Sequence, residues 1–221
     1  GYLEHVRDPA LRRKLTPTDH LGCTRIPKSD QNYYEAVQRP NVHVEDRRIV
    51  RIVPEGIELA DGRRCALDVL VFATGYDAHA YMRPMTLAGL GGVTIDELWK
   101  EHVYSYNGLA LPGFPNLFVL YGPFSPVNNV SVPLGLDMQM QYILRLLAIA
   151  RDKRAAVMPS EKATDRFVAR VRAAMPNTVW VGCRNWYTAS EDVPVLWPMT
   201  QDEHKALLAE VVVDDYEFVA V

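Results

Sequence analysis

Two stretches of this sequence end an apolar run in small residues, and these are the places where it could do chemistry. In the first, Asp68-Val69-Leu70-Val71-Phe72-Ala73-Thr74-Gly75-Tyr76, the run stops at Thr74-Gly75. In the second, Asn116-Leu117-Phe118-Val119-Leu120-Tyr121 stops at Gly122-Pro123. A buried strand that finishes in small residues lets a flat, charged ligand lie close to the backbone, and nucleotide sites of open α/β sheets sit at such strand ends. The alternative for each is a plain core strand with a tight turn, because Ala-Thr-Gly alone is a short pattern that matches often. The metal-binding residue types offer less. Cys23, Cys65 and Cys183 lack C-x-x-C spacing and no two histidines lie three to five residues apart, so no metal site is expected.

These stretches need elements to hold them. Residues 2 to 15 mix apolar and basic positions and read as a helix end or helix-loop, followed by a loop punctuated by Thr16-Pro17 and Pro27. Asp30 could cap a short helix over 31 to 38. Residues 41 to 45 alternate and 49 to 53 are β-branched. Residues 56 to 60 lead into Asp61-Gly62, the strongest short hairpin signal. The spacing then predicts a buried central strand over 67 to 75 and a second over 116 to 121. Between them, 81 to 115 is irregular, with a hairpin expected through Gly91-Gly92. Ser131 and Pro133 open a helix running to about Arg151, with Leu136, Met140, Ile143, Leu144 and Leu147 on one apolar face and Met138 also read as core packing. A further amphipathic helix is expected from about 160 to 175, stopped by Pro176, and a last one from about 201 to 212. The pattern is mixed α/β, without repeats or low-complexity segments.

Bulk properties narrow the function. A formal net charge of -3 argues against a nucleic-acid partner or a polybasic membrane contact. No run of about 18 apolar residues exists, so no membrane span is expected. The first residues lack a signal-peptide pattern, and an odd, scattered set of three cysteines fits a reducing, cytoplasmic setting.

The stretch from Asp68 to Tyr76 resembles the ATG motif of two-dinucleotide-binding flavoprotein monooxygenases. Gly22-Cys23-Thr24-Arg25-Ile26, with Ser29-Asp30 and Tyr33-Tyr34 after it, is similar to the segment that carries the active-site arginine in Baeyer–Villiger monooxygenases. Arg39-Pro40-Asn41-Val42, Phe114-Pro115-Asn116-Leu117-Phe118 and Gly122-Pro123-Phe124-Ser125-Pro126 with Asn128 match further family segments in order. Asn185-Trp186-Tyr187 resembles the loop whose tryptophan reaches NADP. The likeness is nearest to the branch acting on aryl ketones such as 4-hydroxyacetophenone.

That resemblance implies a partial two-dinucleotide-binding, Rossmann-like flavoprotein fold with a helical C-terminal region. Residues 1 to 75 would end an NADPH-binding domain and link back, and 76 to 221 would complete an FAD-binding domain with a helical cap. The implied reaction turns ketones into esters or lactones with O2. The rivals are oxidation of amines or sulfides by a related flavin enzyme and a truncated, non-catalytic interaction domain. Arg25 would be the catalytic residue, since a guanidinium is always charged and offers a planar fork of donors to an anionic oxygen. Thr74, Gly75 and Tyr76 would lie against FAD. Gly122, Pro123, Asn128 and Asn129, followed by the positive end of a helix, would face the electron-rich edge of the flavin. Trp186 would stack on NADP, with a core tryptophan as the alternative.

Two departures from the family pattern stand out. The glycine-rich fingerprints for FAD and NADPH are absent, and Gly89-Leu90-Gly91-Gly92 is no substitute, since no buried strand leads into it and no helix follows. The chain is therefore read as a fragment that needs the N-terminal part of the same enzyme as its partner. Alone it is expected to bind FAD weakly or not at all and to self-associate over an exposed apolar patch. Secondly, the family's Lys-Arg pair is replaced by Thr24-Arg25-Ile26, so Arg25 is either the active-site arginine or the partner of the NADP phosphate.

Overall fold

The computed structural model describes residues 2–18, 23, 32–77, 80–126, 131–183 and 195–220. The chain divides into two compact units, Gly1–Tyr76 and Asp77–Val221.

In the first unit, helix α1 (Pro9–Leu15) starts where the Asp8 side chain accepts from the Ala10 N–H, with Pro9 in its first turn and Arg12, Arg13 and Lys14 in its last. That placement satisfies an orphan amide and matches charge to the helix dipole. A short helix α2 spans Asn32–Ala36. Three antiparallel strands follow as a meander, β1 (Ile49–Val53), β2 (Gly56–Leu59) and β3 (Arg64–Ala66), with Ile52 opposite Ile57 and Ile57 opposite Cys65. Asp61-Gly62 makes the expected turn. Gly62 is left-handed at φ +84° and its N–H donates to the Leu59 carbonyl.

The sheet stops there. Residues 41–45 are irregular, and the predicted central strand over 67–75 is not one. Val69, Val71 and Phe72 are 74%, 79% and 69% exposed, and Tyr76 is fully exposed. Leu67 donates its N–H to the Glu55 carbonyl, but among the described residues 68–76 form no backbone hydrogen bond. A strand is completed by a neighbour that takes its N–H and C=O groups, and no described part of this unit stands beside this run.

The second unit has a core where helices α4 (Val132–Lys153) and α5 (Glu161–Ala174) meet the strand between them, β4 (Ala155–Pro159). β4 pairs antiparallel with the last strand, β5 (Tyr216–Ala220), Val157 opposite Phe218. Sequence patterning missed this pair. The chain passes from α4 into β4 through a single left-handed Arg154 (φ 52°), with no glycine or proline to mark the change. Tyr106, Tyr142, Leu146, Phe167, Val171 and Trp197 fill the centre. Short helices α3 (Ile95–Leu98) and α6 (Gln201–Leu207) both open with a capping box, Thr94 with Glu97 and Thr200 with Glu203. An antiparallel bridge between Ala88 and Thr94 closes the Gly91-Gly92 loop.

Three expectations are corrected here. Residues 116–121 form no strand, only a bridge from Phe118 to Ala110, because Asn116 (φ 57°) and Tyr121 (φ 55°) are left-handed and bend the chain at both ends. Asn116 instead clasps Val157 on β4, donating its N–H to the carbonyl (2.8 Å) and accepting the Val157 N–H at Oδ1 (3.0 Å). The buried face of α4 is Gly135, Gln139, Tyr142, Ile143, Leu146 and Ala150, while Met140, Leu144 and Leu147 are exposed. Hydrogen bonds turn the helix this way. Tyr142 meets the Tyr216 hydroxyl at 2.9 Å, and Gln139 bonds to the turn described below. The last helix is also shorter than expected, ending at Leu207.

His204 on α6 sits beneath the Trp197 ring, edge to face at 5.2 Å, only 2% exposed and with Nε2 unpartnered. Burial pushes its pKa from 6.5 down to about 4. The folded state therefore holds fewer protons than the unfolded one in this interval, so stability present above pH 6.5 is lost as pH falls towards 4. Between pH 6.5 and 5, above most carboxylate titrations, the stability should already fall by up to ~2 kcal/mol, and the thermal midpoint with it. His204→Leu should flatten that slope, and an identical slope in the variant would contradict the assignment.

Candidate functional site

The predicted residues fall into three groups. Thr74, Gly75 and Tyr76 lie in the first unit and Gly122 and Pro123 in the second. Arg25, Thr24, Asn128, Asn129 and Trp186 lie outside the described residues.

Around Thr74 to Tyr76 the backbone is open. Gly75 is left-handed (φ +82°), and a Cβ built on it would meet no atom within 4 Å. All three residues are exposed. A flat ligand could therefore reach this backbone closely, which is what a strand end at a nucleotide site requires.

Gly122 and Pro123 are built differently. Both are buried, and the turn 121–125 is fastened inward. It rests on a second turn, Asn107-Gly108, in which both residues are left-handed (φ 54° and 73°) between bridged Tyr106 and Ala110. Asn-Gly suits such a left-handed turn, here closed by the Leu109 N–H on the Tyr106 carbonyl within a three-residue connection, and this signal in the sequence went unused. The two turns run side by side: Val119 donates its N–H to the Leu109 carbonyl (2.7 Å), and Gly122 donates its own to the Gly108 carbonyl (3.0 Å). A Cβ on Gly122 would come within 2.9 Å of that carbonyl oxygen, so glycine permits the approach.

Side chains then close the turn. Gln139 Oε1 on α4 accepts the Tyr121 N–H at 2.8 Å, and its Nε2 donates to Ser125 Oγ at 3.0 Å. Ser105 donates to the Pro123 carbonyl at 2.6 Å. The Phe124 N–H goes to the Val195 carbonyl, the Ser125 N–H to the Gly122 carbonyl, and the Ser125 carbonyl accepts from Trp197 N–H. The amides of Tyr121, Gly122, Phe124 and Ser125 are thus all committed within the unit. Patterning found Gly122 but not Ser105, Gln139 or Ser125, because a polar residue on a helix face or in a loop looks like surface until its partners are known. The Tyr121 ring packs on Gly135, a Cβ at which would lie 3.1 Å from the ring. Burial raises the Tyr121 phenol pKa.

Elsewhere in the second unit a cleft of about 680 Å³ opens between Leu90, Phe114, Met158 and the start of α5, rimmed by Glu161 and Asp165. None of the predicted residues lines it. Among the described residues no helix is long and apolar enough to cross a membrane. No group of three or more His, Cys, Asp or Glu among them is placed to hold a metal.

No protein-family model matches the chain. An uncharacterized monooxygenase of Mycobacterium tuberculosis is 38% identical over 217 residues, 97% of this chain and 44% of the relative. A Baeyer–Villiger monooxygenase of Streptomyces coelicolor is 33% identical over 218 residues, 96% of this chain and 42% of the relative. Among solved structures, an OTEMO complex with FAD and NADP superposes with a TM-score of 0.85 at 29% identity, covering 98% of this chain and 42% of that one. The chain thus spans less than half the length of the curated relatives it matches, and its α/β fold is that of the C-terminal part of Baeyer–Villiger monooxygenases.

The packing of the two turns makes a direct prediction. At Gly108 an added Cβ would meet Ser125 Oγ at 2.6 Å in a backbone that disfavours side chains. Gly108→Ala should cost about 2 kcal/mol or more in a urea titration. Gly91, whose added Cβ would meet nothing within 4 Å, is the control for backbone strain alone. Equal losses for Gly108→Ala and Gly91→Ala would show that the turns are not tightly packed.

Proposed function

We propose that this chain, which belongs with the Baeyer–Villiger and FAD-binding monooxygenases, works as the C-terminal part of an FAD- and NADPH-dependent enzyme. That enzyme converts ketones to esters or lactones with O2. The observation that carries the reading is the exposed apolar run 68–76, rich in β-branched residues and, among the described residues, with its backbone unpaired. Such a run is suited to the inside of a parallel sheet, and its glycine end is open to a flat ligand. On this reading Gly1–Tyr76 closes the NADPH-binding domain and returns the chain, and Asp77–Val221 completes the FAD-binding domain with a helical cap. The chain alone is inactive.

When bound, the flavin supplies the oxygen-activating chemistry and NADPH the electrons. The chain's own residues do the rest. Thr74, Gly75 and Tyr76 offer backbone against which the flavin packs. Gly122 and Pro123 shape the turn that leads to Asn128 and Asn129, whose side chains offer donors to the flavin edge. Arg25 neutralises the negative charge that develops on the substrate oxygen, a role in which a fixed guanidinium outdoes a solvated ammonium. Trp186 stacks on the nicotinamide end of NADP and helps to exclude water. The likeness of the chain's motifs, taken together, to the branch acting on aryl ketones such as 4-hydroxyacetophenone favours an aryl ketone as substrate.

The test uses the whole polypeptide that contains this chain. Arg25→Ala should lower ester formation from an aryl ketone by about 100-fold or more while leaving the bound-flavin spectrum in place. Sulfide oxidation without ester, at the same rate in wild type and Arg25→Ala, would replace this reading with an amine- or sulfide-oxidising enzyme.

A further inference from the structure

The flavoenzyme reading leaves the cleft of about 680 Å³ in the second unit without a task. We propose that this cleft binds an organic cation, a small molecule with an apolar aryl or alkyl body and one ammonium group. The site uses none of the residues assigned to the flavin or to NADP, so it stands or falls apart from that reading.

The walls are fixed by the chain itself. On one side the loop 88–94 lies against Gly113. Leu90 donates its N–H to the Gly113 carbonyl (2.7 Å), and Gly89 donates its own to the Val93 carbonyl (2.8 Å). A Cβ on Gly89 would collide with that same Gly113 carbonyl, so glycine permits the contact. The loop brings Leu90 and Val93, 47% and 46% exposed, to a cleft also lined by buried Phe114 and Met158. On the other side stands the first turn of α5, capped by Ser160. Ligand clefts span about 300 to 1,000 Å³ and join apolar walls to a few placed polar groups. This cleft has that size and that make-up.

The polar groups select the charge of the ligand. Three carboxylates, Glu161, Asp165 and Glu217, line the cleft against one ammonium, Lys162. Glu161 and Asp165 are four apart on α5, where like charges share a face and repel. Glu217 stands opposite Met158 across the β4–β5 pair, so both side chains leave the same face of the ribbon. Among the described residues none of the three forms an ion pair, whereas Arg166 and Arg170 on the same helix pair with Asp215 and Glu203. Tyr104 adds an aromatic ring to the lining. Burial, and then the charges of Asp165 and Glu161, raise the pKa of its phenol, so the hydroxyl lies within reach of both carboxylates. An aromatic ring beside carboxylates is a setting that attracts an ammonium group. A metal ion does not suit it. Among the described residues no three such groups converge on one point, and the apolar walls would strip a hydrated ion of its water without replacing it.

The experiment is a calorimetric titration of the whole polypeptide with phenethylammonium and with phenethyl alcohol, its neutral counterpart of similar shape. The cation should bind saturably, and the alcohol about fivefold more weakly or worse. Glu161→Gln with Asp165→Asn should weaken the cation by about fivefold or more and leave the alcohol unchanged. Leu90→Ser, at an exposed position that folding tolerates, should weaken both ligands. Asp202→Asn with Glu210→Gln removes the same charge at exposed positions outside the cleft and should leave both affinities at wild-type values. The proposal is overturned by any of four results: no saturable binding up to about 10 mM, equal affinity for amine and alcohol, equal losses in the two double variants, or affinities indifferent to Leu90→Ser.

Discussion

A backbone amide that leaves water must find an acceptor, and the two units of this chain meet that demand in opposite ways. In the second unit the demand is met in full around the 121–125 turn. Amides that no strand or helix could pair are taken up by Gln139, by neighbouring carbonyls and by the adjacent Asn107-Gly108 turn. In the first unit the apolar run 68–76 keeps its amides in solvent, together with Val71 and Phe72. Burying those side chains would be favourable by about 2 kcal/mol each, but only beside a neighbour that pairs the backbone.

This contrast explains which parts of the fold could be read from the sequence. Asp61-Gly62 makes its turn because the left-handed geometry is written into the two residues themselves. Helices α4 and α5 appear near their expected limits, since Pro133 and Ser160 open them by local rules. The failures are non-local. Asn116 clasps Val157, 41 residues away, and this pairing replaces the strand expected over 116–121. The β4–β5 pair joins residues on either side of two helices, with no turn signal to announce it. The inward face of α4 follows hydrogen bonds of Gln139 and Tyr142, and hydrophobic patterning alone turned it the wrong way.

The site shows the same division. Gly75 and Gly122 were legible because each marks the end of an apolar run. Their environments differ, however: Gly75 is open on its surface and Gly122 is pressed against the Gly108 carbonyl. One glycine permits a ligand's approach and the other permits the approach of the chain to itself. The Ser105–Gln139 clamp that follows from the second was not legible, since its members are ordinary polar residues until the turns are stacked. Arg25 and Trp186, which carry the chemistry in the functional reading, rest on their similarity to family segments.

The central claim is that 68–76 is a strand awaiting its sheet. Amide hydrogen exchange over these residues, compared between this chain alone and the whole polypeptide that contains it, tests it most directly. The account predicts exchange near the unprotected rate in the isolated chain and protection by about a thousandfold or more in the whole polypeptide, the behaviour of a core strand. Equally fast exchange in both would mean that the run stays outside any sheet, and would contradict the account.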